Sequence, residues 1–432
     1  MAKLPSVNLA PTGRRIAARV IGRVLYDQAY AAAALDAELS RATGLDPREK
    51  GLATEIAYGV LRTRSALLAR IQRHAKKLPK DEVTLLHLLV AAYQLLVLER
   101  VPAFAAVNAA VEAVREERGK PLSGFVNAVL RKVAASGERL ELRSAVLEGG
   151  PRWLVERLVA AVGEDEAAAL FGAAGAPAPT LRLVAGRPVP DWLASAEPGR
   201  LSPRARRAPD GGDPRNRAGY TEGSFVIQEE GAQAIALLLG ARTGEKVLDA
   251  CAGRGQKASL LAEQVGESGS VWASDLHQSK LDALWSEWQR LGLAEPMRRA
   301  IDLSVGVADL PGDFDRVLVD APCSGTGTLA RRPEIRERLA PSDPERLAAL
   351  QSAILERAAS RARPGGRVVY AVCSVLPEEA ERVVERAPSW LEPAPFDAPE
   401  LAGRIALDAT ALRLLPGSHG TDGYFVASFV RR

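Results

Sequence analysis

The feature that most constrains the fold is an alternation of strand-like and helix-like segments from about residue 225 onward. Short β-branched runs are each followed by an amphipathic stretch, as in KVLDA with QKASLLAEQV, SVWASD with QSKLDALWSEWQRLG, RVLVDAP with SAILERAASRA, and RVVYAVCS with PEEAERVVERA. Such alternation is typical of βαβ units, in which crossover helices join parallel strands. The final LRLLPGSHGTDGYFVASFV indicates two more strands joined by a glycine-rich turn. The sequence therefore predicts an α/β fold with a doubly wound, mostly parallel sheet and an antiparallel edge.

The first third of the chain has a different periodicity. From about residue 10 to 140, apolar residues recur at helical spacing, as at Ile16, Val20 and Val24, and strand signals are nearly absent. Residues 150–222 carry two amphipathic helices, the strand-like TLRLVAG and a loop rich in arginine, proline and glycine. We therefore expect an all-helical domain at 1–145, a linking subdomain at 146–224 and the α/β domain at 225–432. A chain of 432 residues is long enough for two or three cores.

Side chains capable of chemistry follow the predicted strands, at the point where each strand ends. Asp249, Asp275 and Asp320 end three strands, Asp302 follows the predicted strand MRRAI, and Cys373 follows a fifth. In open α/β sheets, ligands bind outside the carboxyl ends of the strands. The pattern therefore predicts one cleft that collects four carboxylates and a thiol.

The loop after the first of these strands, DACAGRGQK at 249–257, has the character of a cofactor loop. Gly253 and Gly255 stand where backbone has to come close to a ligand, although the glycines could serve only a tight turn. Asp275 lies 20 residues after Gly255, where nucleotide-binding α/β folds keep an acid for ribose hydroxyls. The absence of a full GxGxxG argues against a dinucleotide. S-adenosylmethionine, which has a ribose but no phosphate, suits this loop better.

Composition indicates an ordinary globular protein, with 47% hydrophobic and 25% charged residues. The first fifteen residues lack the apolar core of a secretory signal. The longest apolar tract, VTLLHLLVAAYQLLVLE, is too short and too polar to span a bilayer comfortably. We therefore expect a cytoplasmic protein that does not enter a membrane, and we expect a monomer. The net charge of +4 permits a polyanionic partner.

Two arginine-rich stretches are each open to two explanations. The arginines are Arg200, Arg204, Arg206, Arg207, Arg215 and Arg217 in the first stretch, and Arg331, Arg332, Arg336 and Arg338 in the second. Their guanidinium groups could contact phosphates, or they could form solvated surfaces. The sequence alone leaves both explanations open.

The chain has only three cysteines, Cys251, Cys323 and Cys373. They lie far apart and form no Cys-x-x-Cys pair, so we expect no metal site and, in a reducing cytosol, no structural disulfide. Cys323 follows a strand in DAPCSGTG, so its thiol should enter the same crevice as Cys373. A buried, inert thiol is the usual explanation for a single cysteine. Two thiols at neighbouring strand ends favour thiol chemistry instead.

These segments resemble those of a known family, the Sun/Fmu-type RNA (cytosine-5) methyltransferases, which depend on S-adenosylmethionine. DACAGRGQK is similar to the family's cofactor loop, VDAPCSGTG to its Asp-Ala-Pro-Cys-Ser-Gly motif, and YAVCSVLPEE to its catalytic Tyr-x-Thr-Cys-Ser-x-x-Pro-Glu-Glu segment. RRPEIRER and PGSHGTDGYFVA are similar to two further signatures. The helical N-terminal part resembles the NusB-like RNA-binding domain of RsmB-like members. The resemblance covers nearly the whole chain and implies a Rossmann-like methyltransferase domain that acts on RNA, with 16S ribosomal RNA (rRNA) as the expected substrate.

The resemblance also implies a role for each site residue. Cys373 would be the nucleophile that adds to carbon 6 of cytosine, because carbon 5 is too weak a nucleophile to take a methyl group unaided. Asp320 would hold the Watson–Crick edge of the base, and Cys323 would assist breakdown of the covalent adduct. DNA cytosine methyltransferases place their nucleophile in a Pro-Cys motif, so Cys323 is the alternative nucleophile. Asp275 would bind the ribose hydroxyls and Asp302 the adenine amino group. The implied cofactor-binding residues are Cys251, Ala252, Gly253, Arg254, Gly255, Gln256, Lys257, Asp275, Asp302 and Asp320.

The chain departs from the family's pattern in two segments. The cofactor loop has Gly253, Arg254, Gln256 and Ala258 in the places of alanine, proline, glycine and threonine. Val372 stands where the catalytic segment usually has threonine, which removes a hydroxyl next to Cys373 in the sequence.

A second hypothesis belongs to a different class of protein. A non-catalytic RNA-binding or antitermination factor could be built on the helical domain, with a methyltransferase fold that has lost its activity. Retention of both thiols, Asp320 and the acid at Asp275 argues against this hypothesis. Binding of S-adenosylmethionine discriminates between the two, because a lapsed site should bind it poorly.

Overall fold

The computed structural model describes residues 11–175, 178–209, 212–307 and 309–432. The prediction that the chain has no secretory signal was made from residues 1–15, and residues 1–10 lie outside the described ranges. The described residues divide into two compact units. The first contains 11–159, 167–175 and 329–338, and the second contains the described parts of 160–166, 177–328 and 339–432. The first unit therefore includes a short segment, 329–338, that follows the Asp-Ala-Pro-Cys motif in the sequence.

The first unit is helical, and its described residues contain no strand. Its first seven helices are α1 (Gly13–Tyr26), α2 (Ala31–Arg41), α3 (Pro47–Gln72), α4 (Glu82–Leu96), α5 (Ala103–Arg118), α6 (Lys120–Ala135) and α7 (Leu142–Glu148), and the chain continues through α8 (Arg152–Val162) and α9 (Glu164–Leu170). Asp46 and Asp81 cap α3 and α4 by accepting hydrogen bonds from backbone N–H groups at 2.7 and 2.8 Å. Ile16 and Val20 on α1 are fully buried, as their spacing predicted. The predicted all-helical domain is confirmed.

The apolar tract of the sequence forms α4, which lies inside the core of this unit. Nearly every residue of α4 is buried, which explains why the helix is apolar on all sides. Across the described residues, no helix combines the length and the apolarity that crossing a membrane requires.

The second unit contains a small antiparallel sheet. Its elements are β1 (Thr180–Leu183), α10 (Asp191–Ala194), β2 (Ala205–Arg207) and β3 (Phe225–Ile227), with strand order β2-β1-β3. Arginines of the first arginine-rich stretch pair with carboxylates of the same unit. Arg204 lies 2.8 Å from Glu400 and 3.2 Å from Glu263, and Arg207 lies 3.3 Å from Glu197. These guanidinium groups therefore form ion pairs within the unit. The sequence analysis had considered only phosphate contacts and a solvated surface for them.

The second unit also contains the predicted mostly parallel sheet. Its strands are β4 (Lys246–Asp249), β5 (Ser270–Asp275), β6 (Met297–Ala300), β7 (Phe314–Asp320), β8 (Ala362–Val372), β9 (Leu391–Pro393), β10 (Ala411–Leu414) and β11 (Tyr424–Arg431). The remaining helices of the chain are α11 (Glu230–Leu238), α12 (Gln256–Val265), α13 (Gln278–Leu291), α14 (Ile335–Arg338, in the first unit), α15 (Asp343–Ala359), α16 (Glu381–Glu385) and α17 (Pro416–His419).

The strand order is β10-β11-β8-β7-β4-β5-β6, and β9 pairs with β11. The pairs from β8 through β6 are parallel, whereas β11 is antiparallel to β8, β9 and β10. The predicted fold is confirmed, with one refinement: β11 lies inside the sheet, and β10 forms the antiparallel edge.

Each face of this sheet packs against its own set of helices. Along β8, Val369 and Ala371 belong to the core that includes α11, α12 and α13, whereas Tyr370 and Val372 belong to the core that includes α15. This alternation is the two-residue period of a strand. Cys373 packs with the first core, so Val372 and Cys373 lie on opposite faces. A threonine hydroxyl at 372 would therefore enter an apolar core, and its absence does not remove a group beside the thiol.

Segment 329–338 packs onto the helices of the first unit through buried arginines. Arg336 is 1% exposed, and it donates hydrogen bonds to the backbone carbonyls of Arg62 and Phe171 at 2.5 and 3.3 Å. Arg62 in turn donates to the carbonyl of Ala330 at 2.8 and 3.1 Å. Both explanations from the sequence are therefore wrong for Arg336, because carbonyl oxygens and not solvent or phosphate satisfy its guanidinium group.

Candidate active site

The sheet order places the predicted acids and the thiol along one edge. Strands β4, β7 and β8 are neighbours, so Asp249, Asp320 and Cys373 stand at adjacent carboxyl ends. Asp275 ends β5 on the other side of β4, and Asp302 follows β6. The direction of chain progression reverses between β4 and β7, which is the switch point where open α/β sheets bind ligands.

Two thiols lie in contact at this edge. The Sγ atoms of Cys323 and Cys373 are 3.2 Å apart, close enough for a hydrogen bond between them. That hydrogen bond, reinforced by burial, raises the pKa of the Cys323 thiol well above its ordinary value. Cys323 therefore keeps its proton while it faces Cys373. Burial, with a further contribution from Asp249, also raises the pKa of Cys251 in the cofactor loop.

A lysine of the cofactor loop supplies positive charge to the same place. Lys257 Nζ lies 2.7 Å from Oδ2 of Asp320, and both side chains are largely buried. Burial by itself lowers the pKa of Lys257, but the carboxylates of Asp320 and Asp249 outweigh burial and raise it. Lys257 also interacts electrostatically with Cys373. The ammonium group is therefore charged at neutral pH and favours a thiolate at Cys373.

The two other predicted cofactor acids have different surroundings. Asp275 is 7% exposed, accepts hydrogen bonds from the N–H groups of Gly253 at 3.1 Å and His277 at 2.9 Å, and lies 3.2 Å from Lys280 Nζ. Asp302 is exposed and accepts hydrogen bonds from Oγ and N–H of Ser304 at 2.5 and 2.9 Å, which lower its pKa. Asp275 is thus held by the cofactor loop itself, whereas Asp302 faces solvent.

The loop at 249–257 has features that fit a bound S-adenosylmethionine. Gly253 has φ +55°, and a Cβ atom there would meet no heavy atom within 4 Å. Asp249 is 1% exposed, yet neither carboxylate oxygen receives a hydrogen bond of normal geometry from the described residues. A buried carboxylate needs a cationic or hydrogen-bonding partner, and the ammonium group of an amino-acid moiety is such a partner. The residues present therefore fit this cofactor.

Replacing Asp249 with asparagine should stabilise the ligand-free protein, and more so at high pH. Burial, and then the nearby Asp320, raises the pKa of Asp249 to about 7. An unfolded aspartate has a pKa near ~3.9, so the folded state binds more protons between these values and its stability falls as pH rises towards 7. An uncharged amide at this position does not titrate, so the stability of the variant would not fall with pH for this reason. The melting temperature of Asp249→Asn should exceed that of the wild type by a margin that grows from pH 5 to pH 8, corresponding to roughly 1–3 kcal/mol. A margin independent of pH would contradict the assignment.

The unusual residues of the cofactor loop are accommodated by local packing. Gly255, where the family also has glycine, has φ +77° at the start of α12, and a Cβ atom there would overlap the side chain of Leu284. Gln256, in the place of a glycine, donates a hydrogen bond from Nε2 to the carbonyl of Ile227 at 2.9 Å. Ala258, in the place of a threonine, is fully buried. Gln256 therefore ties the loop to β3, and Ala258 fits the core without a polar group.

The sequence reasoning missed two apolar side chains beside the acids. Leu276 is 58% exposed directly after Asp275, and Val305 is 75% exposed shortly after Asp302. Exposed apolar groups next to acids predicted to bind the ribose and the adenine amine suit the face of a purine. The signal that could have found Leu276 is an apolar residue immediately after a strand-ending acid.

It also missed how the C-terminal signature supports the loop that begins at Cys373. The N–H of Gly327 donates to the carbonyl of Cys373 at 3.0 Å, and the N–H of Gly423 donates to the carbonyl of Gly327 at 2.8 Å. Tyr424 donates from its hydroxyl to Glu229 at 2.8 Å. The glycines of GTGT and TDGY could have indicated this contact, because two backbones that touch leave no room for side chains.

The fold and this edge of the sheet define the class: a Rossmann-like methyltransferase that uses S-adenosylmethionine. The family model described as "16S rRNA methyltransferase RsmB/F" matches residues 236–430, and that of the "NusB family" matches residues 11–135. The chain belongs to the RsmB/F (Sun) family of rRNA methyltransferases, with a NusB domain at its N-terminal end.

Individual relatives match this chain in sequence along nearly their whole length. The chain is 37% identical, over 97% of its length and 96% of the relative, to a Mycobacterium tuberculosis protein named "Putative methyltransferase". It is 30% identical to "Ribosomal RNA small subunit methyltransferase B" of Salmonella paratyphi A, over 89% of this chain and 91% of that one. The crystal structure of PH0851 has the same fold, with a TM-score of 0.78 over 99% of this chain and 100% of that one at 22% identity.

Proposed function

We propose that this protein transfers a methyl group from S-adenosylmethionine to carbon 5 of a cytosine in 16S rRNA, through a covalent adduct at Cys373. The observation that carries the proposal is the pair of thiols at adjacent strand ends, with their Sγ atoms 3.2 Å apart. A methyltransferase that modifies an oxygen or nitrogen atom has no need of a nucleophile, whereas carbon 5 of cytosine does. The names of the relatives support rRNA as the substrate.

In the first step, the thiolate of Cys373 adds to carbon 6 of the base. A bond forms between Sγ and carbon 6, and the electron pair of the ring double bond moves towards carbon 5. When bound, S-adenosylmethionine would supply the methyl group: a bond would form between it and carbon 5, its bond to the sulfonium sulfur would break, and S-adenosylhomocysteine would leave. Lys257 supports this step, because its charge favours the thiolate. Asp320, which accepts from Lys257 at Oδ2, holds the Watson–Crick edge of the base with its other oxygen.

The second step needs a group that removes the proton from carbon 5. Once Cys373 is bound to carbon, its thiol no longer forms the hydrogen bond that raises the pKa of Cys323. Cys323 can then release its own proton to solvent and accept the proton of carbon 5. The carbon 5–carbon 6 double bond re-forms, and Cys373 leaves with the electron pair of the S–C bond. Cys323 is thereby assigned to product release.

The other predicted residues have positioning roles in this proposal. Asp275 binds the ribose hydroxyls and Asp302 the adenine amino group, while loop 251–257 encloses the cofactor. The parts predicted at 1–145 and 146–224 hold the RNA, with the target base single-stranded or flipped out, because carbon 6 is inaccessible within a stacked helix. The reaction takes place in the cytoplasm, where rRNA is made and assembled in bacteria.

Transfer of labelled methyl groups to rRNA tests the function. The purified protein should methylate 16S rRNA from a strain that lacks it, and should add little label to 16S rRNA from the parent strain. Mapping of 5-methylcytosine should show one position that is unmodified only in the deletion strain. Label on another base, or on another atom of cytosine, would show that the proposed product is wrong.

A further inference from the structure

We propose that Glu379 is a positioning residue that holds the two cysteine loops in register, so that the two thiols stay in contact. Its catalytic consequence rests on the proposed function, but the spatial part of the proposal does not. Glu379 is fully buried and lies in the segment after Cys373. No step of the mechanism above uses it.

The carboxylate of Glu379 receives hydrogen bonds from both cysteine loops. Oε1 accepts from the N–H of Ser324 at 2.8 Å, and Oε2 accepts from the hydroxyl of Ser374 at 2.6 Å and from that of Ser324. Ser324 directly follows Cys323, and Ser374 directly follows Cys373. One side chain therefore joins the residues next to the two thiols.

A second layer fixes the carboxylate itself. Gln351 on α15 donates from Nε2 to Oε1 of Glu379 at 2.9 Å and to the carbonyl of Pro322 at 3.0 Å. The hydroxyl of Tyr370 on β8 lies 2.7 Å from the carbonyl oxygen of Glu379 and 3.1 Å from Oε1 of Gln351. The network around Glu379 is therefore connected to a helix and a strand, and not only to the two cysteine loops.

The chemistry of the network favours a carboxylate. Among the described residues, Glu379 forms no ion pair, so four neutral donors alone compensate its burial. A buried carboxylate without a cation costs free energy that an apolar side chain would not, so packing alone does not explain it. A carboxylate accepts at both oxygens, whereas an amide presents a donor on one side. Glu379 also contributes to the raised pKa of Cys323, which places its charge close to that thiol.

The test measures the proximity of the thiols without RNA or cofactor. The probe is dibromobimane, which becomes fluorescent once both of its arms have reacted with neighbouring thiols. In a Cys251→Ser background only Cys323 and Cys373 remain, and both are partly exposed. The rate of cross-linking is divided by the rate of single alkylation with monobromobimane, which corrects for thiol reactivity. We expect this ratio to fall at least about tenfold in Glu379→Gln.

Matched variants separate positioning from general destabilisation. Glu385→Gln makes the same change at an exposed glutamate of α16 and should leave the ratio unchanged. Cys323→Ala should give no cross-linking. If Glu379→Gln does not fold, Ser374→Ala carries the test, because it removes only one of the four hydrogen bonds, and we expect a smaller fall of about threefold. An unchanged ratio in the folded variant would overturn the proposal.

Activity measurements then distinguish this proposal from the proposed function. In the methylation assay, Glu379→Gln should lower kcat by about 10–100-fold and leave KM for RNA within about twofold, because the thiols and not the binding surfaces are displaced. A fall in the cross-linking ratio, in a protein whose wild type methylates no cytosine, would keep the positioning role and reject the proposed function. An unchanged cross-linking ratio in Glu379→Gln, together with cytosine methylation by the wild type, would reject the positioning role and keep the proposed function.

Discussion

Replacing Cys373 with alanine should abolish methyl transfer to 16S rRNA, with a loss of at least about a thousandfold in kcat. The substitution removes the atom that adds to carbon 6, and no other group can take its place. Cys323 remains in this variant, but after the hydrogen bond to Cys373 is lost its burial still raises its pKa, and among the described residues no cation has been placed beside it as Lys257 is for Cys373. The measurement is single-turnover transfer of labelled methyl groups with enzyme in excess. Binding of S-adenosylmethionine should persist, because the cofactor loop is untouched.

Replacing Cys323 with alanine should have a different consequence, namely a trapped intermediate. Addition and methylation proceed, but the proton on carbon 5 has no nearby acceptor and Cys373 cannot leave. We expect an RNA–protein adduct that survives a denaturing gel in Cys323→Ala and is absent in Cys373→Ala. The double variant is the matched control and should form no adduct. An adduct in Cys373→Ala but not in Cys323→Ala would reverse the two roles and make Cys323 the nucleophile.

Replacing Gly327 with alanine should both destabilise the second unit and inactivate the protein. A Cβ atom at 327 would overlap the carbonyl group of Gly423, and backbone cannot move aside as a flexible side chain can. Overpacking of this kind costs roughly 1–3 kcal/mol and forces the chain to shift. The shift occurs where the N–H of Gly327 holds the carbonyl of Cys373. We therefore expect a lower melting temperature together with a loss of about a hundredfold in kcat.

Gly306→Ala is the control for this prediction. A Cβ atom there would meet no heavy atom within 4 Å, so its melting temperature and activity should match those of the wild type. Thermal unfolding and methyl transfer are measured on the same preparations. If Gly327→Ala retained full activity at temperatures where it is folded, the C-terminal signature would not support the nucleophile loop in the way the hydrogen bonds indicate.

Much of the fold could be predicted because local periodicity reflects burial. The spacing of Ile16, Val20 and Val24 follows one face of a helix, and all three are buried. The run RVVY has no polar alternation because β8 lies within a sheet covered on both faces. The position of β11 inside the sheet was not predictable in this way, since pairing between strands distant in sequence leaves no local mark.

The arginines show where local reasoning fails. A charged residue in a polar segment suggests solvent or a polyanion, and this inference holds only on average. Arg336 instead lies in the first unit, because carbonyl oxygens from helices far away in the sequence satisfy its hydrogen bonds. Nothing within RRPEIRER marks one arginine as buried. Such a residue becomes identifiable only when its partners are in place.

Residue identity and local pattern were enough to predict a methyltransferase that uses S-adenosylmethionine, since strand-ending acids and two cysteine motifs can be recognised without a structure. Only the tertiary structure decided how those groups meet: that the thiols are 3.2 Å apart, that Glu379 joins their loops, and that Lys257 is charged beside Asp320. It also decided that Val372 faces away from Cys373. The physical reason is that side-chain identity is local, whereas distance, burial and pKa depend on parts of the chain that come together only on folding.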